Sequence, residues 1–416
     1  MDDSKKNYTT ATLLLFSFMG IVPLGAQAEE INQLETINVS ATVESKTLAG
    51  KDEVYSKNNV TEYKSKKEIE TYHSQSVSDL LSGITGVYSG DARNGGAIDP
   101  IIRSSWGQGR IPVLVDDTEQ AITIWRGYSG VSNRNYLDPF LVSEVNVEKG
   151  PNLDRTLRSG AAGTIRMSTL NPDEIIKPGK KWGIELKTET ANNSIKARPY
   201  EGVPIGQDYR LVSPDGRAEL AEWALYFKDD DRISPRKKGR NKPLHDNAIR
   251  LALAAKDDGY EVLGAYAYRN KGNYFAGKRG GKKYGEGTTG PLDLDKNSDD
   301  PYIPLIARIY KPGEEVPNTS YESRSWLLKG KLHFNKYTSL SANFRDTQIN
   351  YGDIMPSRLG YNYAARNTVT QWPLADVKQK TGNVEFSYNP PDNKWLDLKI
   401  GVWAVKNDTA TNTSGG

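Results

Sequence analysis

Apolar and polar residues alternate along the second half of the chain with a period of two. Trp326, Leu328, Gly330, Leu332 and Phe334 share one face of an extended segment, and Lys329, Lys331 and His333 share the other. Tyr260, Val262, Gly264, Tyr266 and Tyr268 repeat the pattern, as do Leu396, Leu398, Ile400, Val402 and Ala404. An apolar outward face over a polar inward one predicts strands of a membrane barrel, although a soluble sandwich has the same period. Connection lengths separate the two. Asp257-Asp258-Gly259, Asn335-Lys336-Tyr337 and the stretch Asn389 to Lys394 are tight, whereas Asp229 to Asp246, Asn270 to Ser323 and Asn350 to Lys380 are long. Short turns on one side alternating with long loops on the other are the habit of outer-membrane barrels, and a sandwich has no reason to alternate.

Upstream, from Val60 to Leu170, the texture is that of a compact α+β unit. Lys67 to Leu81 predicts a helix with Ile69, Val77, Leu80 and Leu81 facing inward. Ile111-Pro112-Val113-Leu114-Val115 predicts a buried strand running into a turn at Asp116-Asp117. Val142 to Glu148 predicts another strand, stopped by Lys149-Gly150-Pro151, and Gly160, Gly163 and Thr164-Ile165 a further turn and strand. The N-terminus is different again. Lys5 and Lys6 precede an apolar stretch, Ala11 to Leu24, that ends in Ala26-Gln27-Ala28; this is the pattern of an export signal cleaved before Glu29. The following polar segment, to about Lys51, has no helical period and predicts a flexible tether. Within it Glu35, Thr36, Ile37, Asn38 and Val39 form an extended patch, able to add to the edge of a partner's sheet through its backbone.

Composition narrows the class further. The 416 residues are too many for one ordinary core. A mean hydropathy of −0.65, with no long apolar run after the N-terminus, excludes a helical membrane protein. Lys and Arg number 55 against 52 Asp and Glu, so no global field argues for nucleic acid as a partner. Without a single cysteine, an exported chain has neither a disulfide framework nor a thiolate metal site.

With these parts in order, the chain resembles the TonB-dependent outer-membrane receptors over nearly its whole length. Glu35 to Ala41 is similar to the TonB box. Ser76 to Val87 (SVSDLLSGITGV), Ile101-Ile102-Arg103 with IPVLVDD at Ile111 to Asp117, and Ser143 to Met167 (SEVNVEKGPNLDRTLRSGAAGTIRM) are similar to the motifs of the family's plug domain. Departures from the family pattern, such as Ser104-Ser105-Trp106-Gly107 after Arg103, suggest a subfamily. The resemblance implies an α+β plug followed by an antiparallel transmembrane β-barrel. The implied boundaries are a signal peptide at 1–28, a tether with TonB box at 29–55, a plug at 56–178 and a partial barrel at 179–416. Only about nine strands can be placed against the roughly 22 of such barrels. An open sheet in lipid leaves unpaired backbone groups, so the reading carries the expectation of a fragment or truncated frame, with a non-functional remnant as one alternative.

The resemblance further implies binding of cargo outside, a plug that occludes the lumen, and an inner-membrane TonB complex pulling on Glu35 to Val39. Outer-membrane lipids would surround the barrel. The implied cargo is an iron chelate, a ferric siderophore ahead of haem, or else a non-iron nutrient; no cofactor and no enzymatic chemistry are implied. Trp106, Trp125, Arg126, Tyr128, Arg134 and Tyr136 lie in the plug segments placed toward the exterior. Aromatic faces beside arginines suit a flat anionic chelate, but they equally suit packing of the plug against the barrel wall. Arg236, Lys237, Lys238 and Arg240, and Lys278, Arg279, Lys282 and Lys283, are basic clusters in long loops, fit to attract anionic cargo or lipid phosphate or simply to be solvated. Of the three histidines, His245 in a long loop is the candidate haem ligand, while His73 reads as surface and His333 as structural. No nucleophile triad, phosphate-cradling glycine loop or metal constellation supports an enzyme. A passive porin or adhesin needs no coupling box, and a transcription-signalling receptor needs an extra domain before it.

Overall fold

The computed structural model describes residues 50–72, 74–90, 96–106, 110–120, 123–125, 131–152, 157, 160–200, 232–239, 245–279, 310–354, 369–391, 393 and 395–411. The expected export signal and the box at Glu35, Thr36, Ile37, Asn38 and Val39 lie outside them, as do Arg126 and Tyr128.

The plug begins with β1 (Val60–Lys64) and a one-turn-and-a-half helix, α1 (Lys66–Thr71). Ser65 starts α1 because its hydroxyl accepts from the Glu68 N–H while the Glu68 carboxylate accepts from the Ser65 N–H at 2.8 Å, satisfying two end donors reciprocally. The single helix expected over Lys67 to Leu81 is in fact broken. A separate 3-10 turn spans Val77–Leu81, because Asp79 draws the N–H groups of Gln75 and Ser76 to its carboxylate (3.0 and 2.9 Å) and so begins a new element. The inward positions are as expected: Ile69, Val77, Leu80 and Leu81 are all buried.

Next come β2 (Val87–Ser89) and β3 (Pro100–Ile102), which pair with one another, then β4 (Val113–Val115) and β5 (Thr118–Glu119). The β4–β5 turn consists of Asp116 and Asp117 at φ 48° and 59°; left-handed backbone at both centres matches strand twist, and aspartate tolerates it. Then β6 (Thr123–Trp125) pairs with β7 (Val131–Asn133), a 3-10 turn covers Pro139–Leu141, and β8 (Val142–Lys149), β9 (Gly163–Thr169) and the short helix α2 (Pro172–Ile175) complete the unit. The main plug sheet has the order β1-β8-β9-β4-β5, with β4 and β9 parallel. Val113, Val115, Val145, Val147 and Ile165 of this sheet and Leu80 and Leu81 of the 3-10 turn make one core. Gly163 is needed where β9 starts: at φ 145°, a Cβ there would lie 2.3 Å from the Glu148 carbonyl oxygen and 2.8 Å from Ile102 Cδ1.

The wall follows as β10 (Trp182–Ala191), β11 (Ser194–Ile195), β12 (Arg232–Ile233), β13 (Asp246–Asp257), β14 (Tyr260–Lys271), β15 (Asn273–Tyr274), β16 (Tyr321–Asn335), β17 (Thr338–Tyr351), β18 (Val369–Thr370), β19 (Ala375–Tyr388) and β20 (Leu398–Ala410). Seven of these form one antiparallel sheet in the order β10-β13-β14-β16-β17-β19-β20, each beside its neighbour in sequence. Among the described residues the wall therefore has seven long strands where about nine were expected over the whole segment. The ladders β11–β15 and β12–β18 instead tie the long loops together above it.

Alternation on the wall follows the sequence reading. Ile184, Leu186, Leu253, Val262, Trp326, Leu328, Leu332, Phe344, Val384 and Ile400 are exposed on the outer face, while Arg250, Leu327, Arg345, Thr347 and Gln379 are buried on the inner face. Toward the long-loop end the outer face changes character. Next along the same face from Phe344 and Gly382 are Asp346 and Lys380, 3.6 Å apart, with Lys406 paired in register to Lys380. Lys378 and Arg324 follow one row further on.

Candidate functional site: the seat of the plug on the wall

The plug rests on the inner face of the wall through groups that the strands present at alternate positions. The densest junction is the β4–β5 turn. Asp116 Oδ1 receives Lys329 Nζ of β16 at 2.9 Å, and its Oδ2 accepts from Asn343 Nδ2 of β17 at 2.8 Å. Asn383 Nδ2 of β19 donates to the Asp116 carbonyl at 2.8 Å. Within the plug, the Thr169 N–H and hydroxyl donate to the same carboxylate at 2.9 and 2.6 Å. Burial pushes the Asp116 carboxyl up, but the Lys329 ammonium and the Thr169 hydrogen bonds outweigh it and hold the group below the usual aspartate value. Lys329 also reaches the Thr169 carbonyl and Asn171 Oδ1, so one lysine and one aspartate pin the plug to three strands.

Two further junctions lie nearer the long loops. Asp138 accepts from Ser323 Oγ of β16 at 2.5 Å while capping its own 3-10 turn through Phe140 N–H at 2.9 Å. Arg134 pairs with Asp353 at 2.8 Å, both essentially inaccessible, and donates to the Tyr351 hydroxyl of β17; the Tyr136 hydroxyl lies 3.4 Å from that of Tyr351. Along β10 and β13 the contacts are ionic: Lys66 to Glu185 at 3.1 Å, Lys187 to Glu70 at 3.4 Å, Arg250 to Glu185, and Lys256 to Asp173 at 2.7 Å. A buried pair of this sort adds little net stability over an apolar isostere, but removing one partner costs about 3–5 kcal/mol.

The expected site residues thus separate. Arg134 and Tyr136 come together, buried against Tyr351 and Asp353, and their placement is the wall-packing one of the two open readings. Trp106 is elsewhere, 53% exposed after the turn of Arg103 and Ser104 (φ 47° and 65°), and Trp125 is in β6. His245 stands at the foot of β13 with Nε2 accepting the Lys196 N–H at 3.1 Å, and Nδ1 3.5 Å from Ser194 Oγ and 4.0 Å from Asp246 Oδ1. Its acceptor nitrogen is thereby occupied. His333 faces Glu261 at 2.9 Å, the structural position expected of it, and His73 lies outside the described residues. Of the loop bases, Arg236 is structural: it grips the fully buried Glu315 through Nε and Nη2 at 2.7 and 2.6 Å, with Asn273 Nδ2 adding 2.9 Å. Burial pushes the Glu315 carboxyl up, yet these donors keep it below the usual glutamate value. Lys237, Lys278 and Arg279 are exposed. Asp116 and Lys329 were missed as a site, although Asp116 was legible as a turn residue and Lys329 as an inward lysine.

A membrane-patterned antiparallel wall carrying a folded plug on its polar inner face defines a plugged outer-membrane β-barrel. The family model for the TonB-dependent Receptor Plug Domain matches residues 54–164. The chain belongs to the TonB-dependent outer-membrane receptors, a family of the Gram-negative outer membrane. It is 38% identical over 375 residues to the hemophilin receptor of Acinetobacter baumannii, covering 90% of this chain and 34% of that protein. It is 31% identical over 121 residues to the heme transporter BhuA of Brucella abortus, covering 29% of this chain and 17% of the relative. The chain therefore spans about a third of the hemophilin receptor and less of BhuA. Among solved structures, the hemophore receptor HasR of Serratia marcescens superimposes with a TM-score of 0.56 at 17% identity, covering 86% of this chain and 40% of that one. The FrpB iron transporter of Neisseria meningitidis gives 0.53 at 14%, covering 84% and 41%. These two likenesses concern the fold.

Proposed function

We propose that the chain forms the plug and the first wall strands of an energy-coupled importer of an iron chelate. The observation that carries this reading is the seat itself. A stopper meant to stay would be held by apolar packing throughout, whereas here three strands hold the plug hairpin through one charged pair and a set of amides, a contact that a directed pull can break and re-form. Glu35, Thr36, Ile37, Asn38 and Val39 are the segment on which the TonB complex would pull, by pairing through backbone. Among cargoes, the names of the relatives bring haem level with or ahead of a siderophore: one is a hemophilin receptor and others are heme transporters. Trp106, Trp125, Arg126 and Tyr128 remain the plug residues proposed to meet cargo, while Arg134 and Tyr136 are packed on Tyr351 and Asp353. His245 is a weaker axial ligand, because binding iron would first break its bond from Lys196. Outer-membrane lipids are the proposed neighbours of the apolar outer band.

The test is growth of an iron-starved strain with haem, or with a ferric siderophore, as sole iron source. Deleting the gene is expected to abolish growth on one of them, and equal growth on both with and without the gene would remove the reading. In the complemented strain, Ile37→Pro is expected to leave cargo binding at the cell surface unchanged and to reduce uptake at least about 100-fold, because proline removes a backbone donor from the coupling strand.

A further inference from the structure

The two sides of the plug are attached differently. Toward β13, β14 and β16 an apolar contact lies among the ion pairs and hydrogen bonds: Phe140, Leu141 and Leu170 pack on Ala252, Ala265 and Leu327, all buried. At the β4–β5 hairpin, toward β17 and β19, the contact is polar and short of partners, while nearer the long loops Ala97 and Tyr136 join an apolar cluster with Ile349, Tyr351 and Val377. Arg345 of β17 is 3% exposed and makes no salt bridge among the described residues; the Asp116 carboxylate acts on it only at longer range. Its Nη2 donates only to two neutral oxygens, Gln120 Oε1 of the plug at 3.2 Å and Gln379 Oε1 at 3.1 Å, and its Nε has no partner. Beside it on β19, Thr381 is paired in register with Arg345, and Gln379 stands two residues along on the same face. Thr381 Oγ1 and Gln379 Nε2 are also buried without a partner. A buried guanidinium with no salt bridge, next to two donors without partners, favours an acceptor of negative charge. The arrangement has the donor set of an anion site. Its cover is Gln120, directly after the β4–β5 hairpin that Asp116 pins to Lys329, Asn343 and Asn383.

We propose that Arg345, Gln379 and Thr381 form an anion-binding station on the import path, suited to a carboxylate of the cargo, which the β4–β5 hairpin covers at rest and uncovers when the Asp116–Lys329 contact breaks. The cargo part of this statement rests on the import function proposed above; the station itself does not. The path opens at the hairpin itself, between it and Asn343, Arg345 and Asn383, because that contact is polar, while the apolar clusters around Phe140 and around Tyr136 stay packed on the wall. Three donors converge there on a passing carboxylate, and Arg345 can take it in a bidentate fork.

Two measurements test the station without an iron cargo. First, the full chain with Asp116→Asn and Lys329→Met, which unlatch the hairpin, is placed in a planar bilayer under a potassium chloride gradient. An ion leak is expected whose reversal potential shows preference for chloride; adding Arg345→Met abolishes the preference and Arg345→Lys retains it. Absence of a leak from protein shown to be inserted, a leak without preference, or a preference that survives Arg345→Met overturns the proposal. Second, since the chain has no cysteine, Thr381→Cys provides a unique thiol in the otherwise native latch, whose folding is checked by heat-modifiable gel mobility. This covers the case in which the unlatched variant does not insert. A negatively charged thiosulfonate is expected to modify it at least about 10-fold faster than a positively charged one of similar size, and Arg345→Met to level the two rates. Equal rates with Arg345 in place mean that water alone fills the gap, and overturn the proposal. A chain that passes either test but does not import iron chelates loses only the cargo assignment; one that imports but shows no charge preference loses only the station.

Discussion

Asp116 contacts partners 213, 227 and 267 residues further along the chain, on three different strands. Asp116→Ala leaves Lys329 charged and unpaired in the interface, and is expected to cost about 3–5 kcal/mol, read as a lower unfolding temperature of the plug in detergent. Asp116→Asn, which keeps part of the hydrogen bonding, is expected to cost less. The pH dependence has a definite sign. The folded pKa is depressed, so the contribution is fully present above the ordinary aspartate value of about 3.9 and is lost as pH falls through the lower folded value. Between pH 8 and 5 this contact should therefore contribute no change in plug stability, and its loss should be confined to strongly acid solution. Gly163→Ala is expected to destabilise the plug by about 3 kcal/mol in the same assay, since the new methyl meets the Glu148 carbonyl and the backbone is left-handed-side at φ 145°. At this scale the sequence was informative about turns and inward positions and silent about pairing. The residues around Arg134 and Tyr136 suited cargo or wall equally well, because whether Tyr351 and Asp353 lie against them depends on how the strands register, which no local pattern encodes.

Among elements, the wall strands were the most legible part. Their alternation needs only a lipid face and a polar face, and the register of β14, β16 and β17 keeps Val262, Gly330 and Ala342 in one row. Leu328→Arg on the outer face is expected to cost about 2–4 kcal/mol in folding into bilayers if Leu328 sits near mid-depth, whereas Lys378→Arg, above the apolar band, is expected to be neutral; urea titration of insertion into lipid vesicles reads both. Short elements were less legible. Lys67 to Leu81 has helical spacing of apolar residues, but Ser76 and Asp79 supply a second start inside it, and local side-chain to backbone hydrogen bonds won over periodicity. The loop ladders β11–β15 and β12–β18 had no signal at all, being two-residue pairings held by distant groups such as Glu315 and Arg236.

For the whole molecule, the plug meets the wall through two apolar clusters and, at the β4–β5 hairpin, through a polar contact. On the import path proposed above, the hairpin is the part of the plug that would move while both clusters hold. The same wall also carries a consequence in its height. Apolar side chains on the outer face of β16 stop at Trp326, and the strand continues to Tyr321 through Arg324 and Glu322. Five residues of strand rise about 15 Å. The rim and the loops braced by Glu315 thus stand clear of the lipid surface, where something as large as a folded carrier protein can dock without displacing membrane.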